Sequence, residues 1–329
     1  MKKQSNVMIS RRELMGGAAA IAASTIMSRY ALGGAGGMGT SKPNSNFNGV
    51  QIGAITYSYR GMPGTAEDLL KYLLQCGLSS VELMGDAAEQ FAGVPTAGRG
   101  PRPRGRGQMT DEQRQAQRKA QEDQLKWRLS VSMGKYKALR NMYNDAGVNI
   151  HIVKFGNIGD GNMSDGEIDY YFKVAKALGA KGITRELSED AARRLGPIAD
   201  EHKIMIGFHN HTQMTSKTYE GPILSYGKYL GLNFDVGHFV AGTSESPIPL
   251  IQKYHDRILS LHLKDRKVNN GPNMPFGEGD TPVALILQLM KREGWKFPAD
   301  IELEYRVPEG SDAVTEVTKC IQFCRESLA

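Results

Sequence analysis

The sequence predicts an α/β protein: a single (β/α)8 TIM barrel preceded by an export signal and a linker. Three observations predict it. From residue 50 onward, apolar strand-like runs alternate with amphipathic helical runs, the pattern of a parallel sheet with crossover helices. Eight strand candidates can be counted, at 50–56, 79–84, 149–155, 181–185, 204–209, 232–236, 258–263 and 299–304. The chain left after the leader is about 280 residues, which suits one barrel of about 250.

The elements follow in order. Ser10-Arg11-Arg12-Glu13-Leu14-Met15 is a twin-arginine pattern, and the small, weakly apolar run from Gly16 to Met27 is too short to anchor in a bilayer. Residues 1–32 therefore read as a twin-arginine signal peptide, with a periplasmic destination and no stable membrane anchor. Residues 33–49, rich in Gly, Ser and Asn, read as a flexible linker. The barrel is assigned to 50–329. Residues 1–32 hold Lys2, Lys3, Arg11, Arg12 and Arg29 against Glu13, so the remainder of the +6 chain is close to neutral. That balance argues against a nucleic-acid partner. Cys76, Cys320 and Cys324 make no disulfide framework and no lipobox.

Leu69, Leu70, Leu73 and Leu74 mark the first helix by their spacing. Residues 95–107 break the rhythm with a Gly/Pro/Arg-rich stretch on the rim after the second strand. It reads as a solvated insertion, with a lid or anion-attracting surface as the sharper alternative. A long polar helix is expected from about 110 to 146.

The chemistry gathers at four strand ends: Phe208-His209-Asn210-His211, Phe234-Asp235-Val236-Gly237-His238, His262-Leu263-Lys264-Asp265-Arg266 and Ile301-Glu302-Leu303-Glu304. In a barrel, these ends converge on the mouth where active sites lie. His209, Asp235, His262 and Glu302 offer two imidazoles and two carboxylates. That mixture suits one divalent transition ion, Mn, Zn or Co, better than the all-oxygen shells of Mg or Ca. Strand periodicity puts His209 with His211 and Glu302 with Glu304, so His211 and Glu304 are candidate acid–base groups.

These runs resemble the xylose isomerase-like TIM-barrel superfamily, often described as sugar phosphate isomerase/epimerase, which also includes endonuclease IV-type and myo-inositol catabolism enzymes. The resemblance covers about residues 50–327. It rests on Asp235 and His238 in a D-x-G-H run, His262 with Arg266 nearby, Gly277-Glu278-Gly279-Asp280, and Glu302 as the last metal carboxylate. It implies Glu82, His238 and Arg266 as substrate-binding residues, with Lys264 holding a hydroxyl or enolate oxygen. The chain departs from the family at the fifth strand, where His209 stands in place of the usual metal-binding, catalytic Glu. His209 then serves as ligand or base, and Glu186 on the fourth strand is a replacement metal carboxylate. The implied activity is a metal-dependent isomerase or epimerase working on a non-phosphorylated sugar or keto-sugar. Elimination from a keto-glycoside is the alternative. A non-catalytic sugar-binding barrel, or a phosphodiesterase of the endonuclease IV type, stands further off. The partner is a small carbohydrate, with homo-oligomerisation possible.

Overall fold

The computed structural model describes residues 42–95 and 110–329. The predicted signal 1–32, the first part of the linker and nearly all of the basic stretch 95–107 lie outside the described residues.

Eight parallel strands close on themselves in chain order: β1 (Val50–Ile55), β2 (Ser80–Met84), β3 (Asn149–Lys154), β4 (Gly182–Glu186), β5 (Met205–His209), β6 (Leu230–Asp235), β7 (Ile258–Leu263) and β8 (Ala299–Ile301). Each hydrogen-bonds to the next, and β8 closes the ring against β1 with Ile301 opposite Ala54. The strands are buried almost throughout, as expected when helices cover the outside of a parallel sheet.

The helices are α1 (Ala66–Gln75), α2 (Gly85–Ala92), α3 (Asp111–Ser130), α4 (Gly134–Asp145), α5 (Asp165–Leu178), α6 (Glu189–His202), α7 (Val236–Thr243), α8 (Ile248–Tyr254), α9 (Val283–Glu293) and α10 (Ala313–Leu328). Their starts are set by local chemistry. Thr65 caps α1 by accepting from Asp68 N–H, and Leu69, Leu70 and Leu73 on its inner face are buried. Among the described residues, no helix is long and apolar enough to cross a membrane.

Two expectations are corrected. The packed chain begins before residue 50, because Asn48-Gly49 forms a tight hairpin turn with both residues at positive φ. Asn46–Phe47 thereby pairs antiparallel with Val50 and Gln51. Ser45 is buried, its hydroxyl donating to Ile52 O at 2.6 Å. The expected helix over 110–146 is two helices, broken where Val131 turns extended. α3 buries no residue, whereas α4 buries Tyr136, Leu139 and Tyr143. A polar helix follows the solvent and an apolar one must turn onto the barrel.

The barrel interior is polar at two levels. Toward the N-terminal ends of the strands, Ser80 Oγ contacts His151 Nδ1 and His151 Nε2 contacts Asp300 Oδ2, both at 2.8 Å. Gly53 leaves the room that Asp300 uses, since a Cβ there would lie 2.1 Å from Asp300 Oδ1. Toward the C-terminal ends lies the second level, made of Glu82, His209, Asn233, His262 and Glu302.

Candidate active site

Strand register brings the predicted residues together. Asp235 is paired with His262 across β6 and β7, His209 with Asn233 across β5 and β6, and Glu186 with His209 across β4 and β5. Asn210 locks two strand ends: its amide donates to Asp235 O at 3.0 Å and accepts from Asp235 N at 2.9 Å. His209 and His211, on either side of it, face each other edge-on with ring centroids 5.0 Å apart.

His209, Asp235, His262 and Glu302 are all buried, and their ligand atoms lie within 4.8 Å of one another. His209, His211 and His238 form a second such group that shares His209. The donor set fits a transition ion on three further observations. His209 Nδ1 is held by Asn233 Oδ1 at 2.9 Å, which leaves Nε2 as the free ring nitrogen. Burial, reinforced by the charge of Lys154, pulls the His209 pKa well below the usual histidine value and keeps the lone pair available. His262 Nε2 contacts Glu82 Oε2 at 2.9 Å, the carboxylate support that orients a ligating imidazole. Asp235 gives Oδ1 to His238 N–H at 2.6 Å as the N-cap of α7, and its buried Oδ2 faces the cluster beside Lys264.

Lys264 balances the charge at this level. Its ammonium is 3.0 Å from both Asp235 Oδ2 and Glu302 Oε2, and 2.7 Å from Glu304 Oε2. Burial opposes that charge, but the three carboxylates outweigh it and raise the Lys264 pKa above the lysine range. Burial likewise works against the Glu302 charge, and Lys264 with His262 holds its pKa well below normal. His262, between Glu82 and Glu302, overcomes burial and is pushed up to about 10.

Above this floor opens a cavity of about 270 Å³. Tyr57, Lys154, Glu186, His211, His238 and Glu304 are among the residues around it. His211 Nε2 donates to Glu186 Oε2 at 2.8 Å, and Lys154 Nζ pairs with Glu186 Oε1 at 3.1 Å. Burial alone would lift the Glu186 carboxyl. The His211 hydrogen bond and Lys154 outweigh it and hold the pKa at about 2. The same hydrogen bond raises His211 above its usual value, against burial.

Several expected roles are moved by this geometry. Glu186 is turned to His211 and Lys154 and is not in the four-ligand cluster. Glu82 is fully buried beneath the imidazoles, donated to by Asn233 Nδ2 at 2.8 Å, so it holds histidines rather than substrate. Arg266 is committed to Gly271 O at 2.7 Å and His238 Nδ1 at 2.7 Å, behind the cavity wall. Lys264 lies under the cavity floor, only 1% exposed. His238 and Glu304 do border the cavity. A neutral imidazole accepts at one nitrogen, so His238 satisfies either Lys264 or Arg266, not both. Lys154, Tyr57 and Asn233 were not singled out from the sequence. Lys154 had a signal, a lysine that closes strand β3 at the barrel mouth.

Residues 70–326 match the family described as Xylose isomerase-like TIM barrel. The inosose dehydratase of Clostridium beijerinckii is 27% identical over 139 residues, covering 39% of this chain and 42% of its own length. That of Clostridium tetani is 28% identical over 179 residues, covering 45% and 57%. The chain thus spans about half the length of the curated relatives it matches. Among solved structures, the probable 3-DHS dehydratase AsbF from Bacillus anthracis superposes with a TM-score of 0.57 at 13% identity, over 83% of this chain and 99% of its own. A sugar phosphate isomerase/epimerase from Parabacteroides distasonis gives 0.52 at 18%, over 84% and 93%. At these identities the two structures speak to the fold.

Proposed function

The chain belongs to the xylose isomerase-like TIM-barrel family, and on that premise we propose that it is a metal-dependent lyase. It removes a proton next to the carbonyl of a keto-sugar or keto-polyol and expels the oxygen on the following carbon. The carrying observation is the His211–Glu186 pair at 2.8 Å, which shares one small cavity with His209 and Glu302 of the four-ligand cluster.

His209, Asp235, His262 and Glu302 would hold a divalent ion, which would supply Lewis acidity toward a substrate carbonyl. His211, with Nε2–H given to Glu186, has Nδ1 available to take the carbon-bound proton. Glu186 stabilises the imidazolium that results. Glu304, on the far side of His238 with its Oε2 3.9 Å from His238 Nε2, is placed to serve the departing oxygen. Lys154 adds positive charge beside the base, where an enolate oxygen gains from it.

Isomerisation or epimerisation was the first expectation, with elimination behind it. We favour the reverse order for this site. Dehydratases among the relatives support the same direction, since loss of water from a keto-polyol is this chemistry. The test is to incubate metal-loaded protein with keto-inositols and keto-sugars in deuterated water. Elimination with an α,β-unsaturated ketone as product is expected. Deuterium exchange with stereochemical inversion and no elimination would restore the epimerase reading, and absence of both would sink the proposal.

A further inference from the structure

The His-lined cavity of about 270 Å³ falls below the range of about 300–1,000 Å³ usual for small-molecule sites. A second cavity, of about 420 Å³, adjoins it, and Glu304 borders both. Residues of two loops border them. Tyr57, on the β1–α1 side, borders the first cavity and is more than a third exposed. Arg60 borders the second; its guanidinium lies over the Tyr57 ring at 4.6 Å and donates to Leu303 O at 2.6 Å. The β1–α1 loop is thereby pinned to the chain that leaves β8.

The second cavity offers both kinds of surface that a sugar ring needs. Met62, Tyr305 and Val307 supply apolar wall, and Arg306, Ser311 and Asp312 supply polar groups. An apolar ligand would find too many charges there, and a small oxyanion would leave most of the volume empty. We propose that this cavity is a subsite for a second sugar ring, so that the substrate is a glycoside that spans Glu304. This rests on the reading that the His-lined cavity takes a keto-sugar.

The chemistry of that reading selects the probes. An anomeric oxygen is expelled only when the carbonyl is two carbons away, so 3-keto-glucose, 3-keto-cellobiose and phenyl 3-keto-glucoside are compared by calorimetry, with turnover slowed about 100-fold by the His211→Asn variant. Gly61 borders the second cavity, and a Cβ there meets nothing within 4 Å, so Gly61→Trp adds a ring at this wall with no clash at its Cβ. Val307→Trp fills it from the opposite wall.

The two-ring probe is expected to bind at least about tenfold tighter than the single ring, and both tryptophan variants are expected to erase that gain while single-ring affinity holds within about twofold. No preference for two rings, or a preference that survives both variants, overturns the subsite. An equal gain from the phenyl group overturns the sugar assignment in favour of an apolar aglycone. If no keto-sugar binds at all while the two tryptophan variants remain folded, the underlying reading fails first and the subsite falls with it.

Discussion

His211 and Glu186 form a hydrogen bond of 2.8 Å across β4 and β5, and this contact sets the protonation of the cavity. Glu186 stays ionised down to about 2, and His211 carries its proton to a pH above the usual 6.5. As a base His211 must be neutral. The acid limb of the pH–rate profile is therefore expected above 6.5, with activity rising as pH passes the raised value. Glu186→Gln removes the raising partner and is expected to move that limb downward. A limb unmoved by the substitution would exclude His211 as the titrating base.

His211→Asn is expected to cut turnover by about 100-fold, the lower end for loss of a general base. Metal content of the purified variant should match the parent, because His211 lies outside the four-ligand cluster. Metal stripped along with activity would place His211 among the ligands, in the three-histidine group that shares His209.

Loading with a divalent ion is expected to release a proton. His262 is pushed up to about 10 by Glu82 and Glu302 against burial, so it is protonated at neutral pH without an ion and must lose that proton to ligate. His209 is already neutral and contributes none. Apparent affinity should rise about tenfold per pH unit below 10, which calorimetry in buffers of different ionisation heat can read. Asp235→Asn keeps the helix-capping oxygen and should still weaken loading sharply. Stoichiometric metal in that variant would remove Asp235 from the site.

The lower polar level predicts stability rather than activity. Asp300→Ala leaves His151 without its partner in a closed interior, at a cost of about 1–3 kcal/mol. Gly53→Ala forces a methyl against Asp300 Oδ1 and is expected to cost a similar amount by overpacking. Denaturant midpoints within error of the parent for both variants would show that this level relaxes freely.

Export through the twin-arginine pathway is proposed from Arg11 and Arg12, which lie outside the described residues. Replacing both with Lys is expected to retain the protein in the cytoplasm, as fractionation would show; unchanged export would dismiss the pathway.

Much of this fold was legible because a parallel strand buried on both faces is a dense apolar run, and four such runs here lie at or beside the His, Asp and Glu residues of the site. The sequence reading ended strands at His209 and Leu263, where the structure also ends them. Other features depend on cross-strand geometry that no local pattern encodes. Asn233 sits in the middle of an apolar run, and its value lies in joining Glu82, His209 and Ser260, residues 27 or more positions away or on neighbouring strands. Glu82 lies inside β2, two residues before its end, and meets His262 and Asn233 beneath the cavity. The Asn48-Gly49 turn was hidden by composition, because the residues that make a linker flexible also make a hairpin turn tight.

Asp235 does two things at once: one oxygen fastens the first turn of α7 and the other faces the ligand cluster. An ion on the second oxygen stiffens the first. The amide of His238 is then a built-in reporter: its hydrogen-exchange rate should fall as the cluster fills, even with no substrate present. Slowed opening should spread along Val236–Thr243 and fade before α8, so occupancy at the barrel floor becomes readable as protection in one short helix.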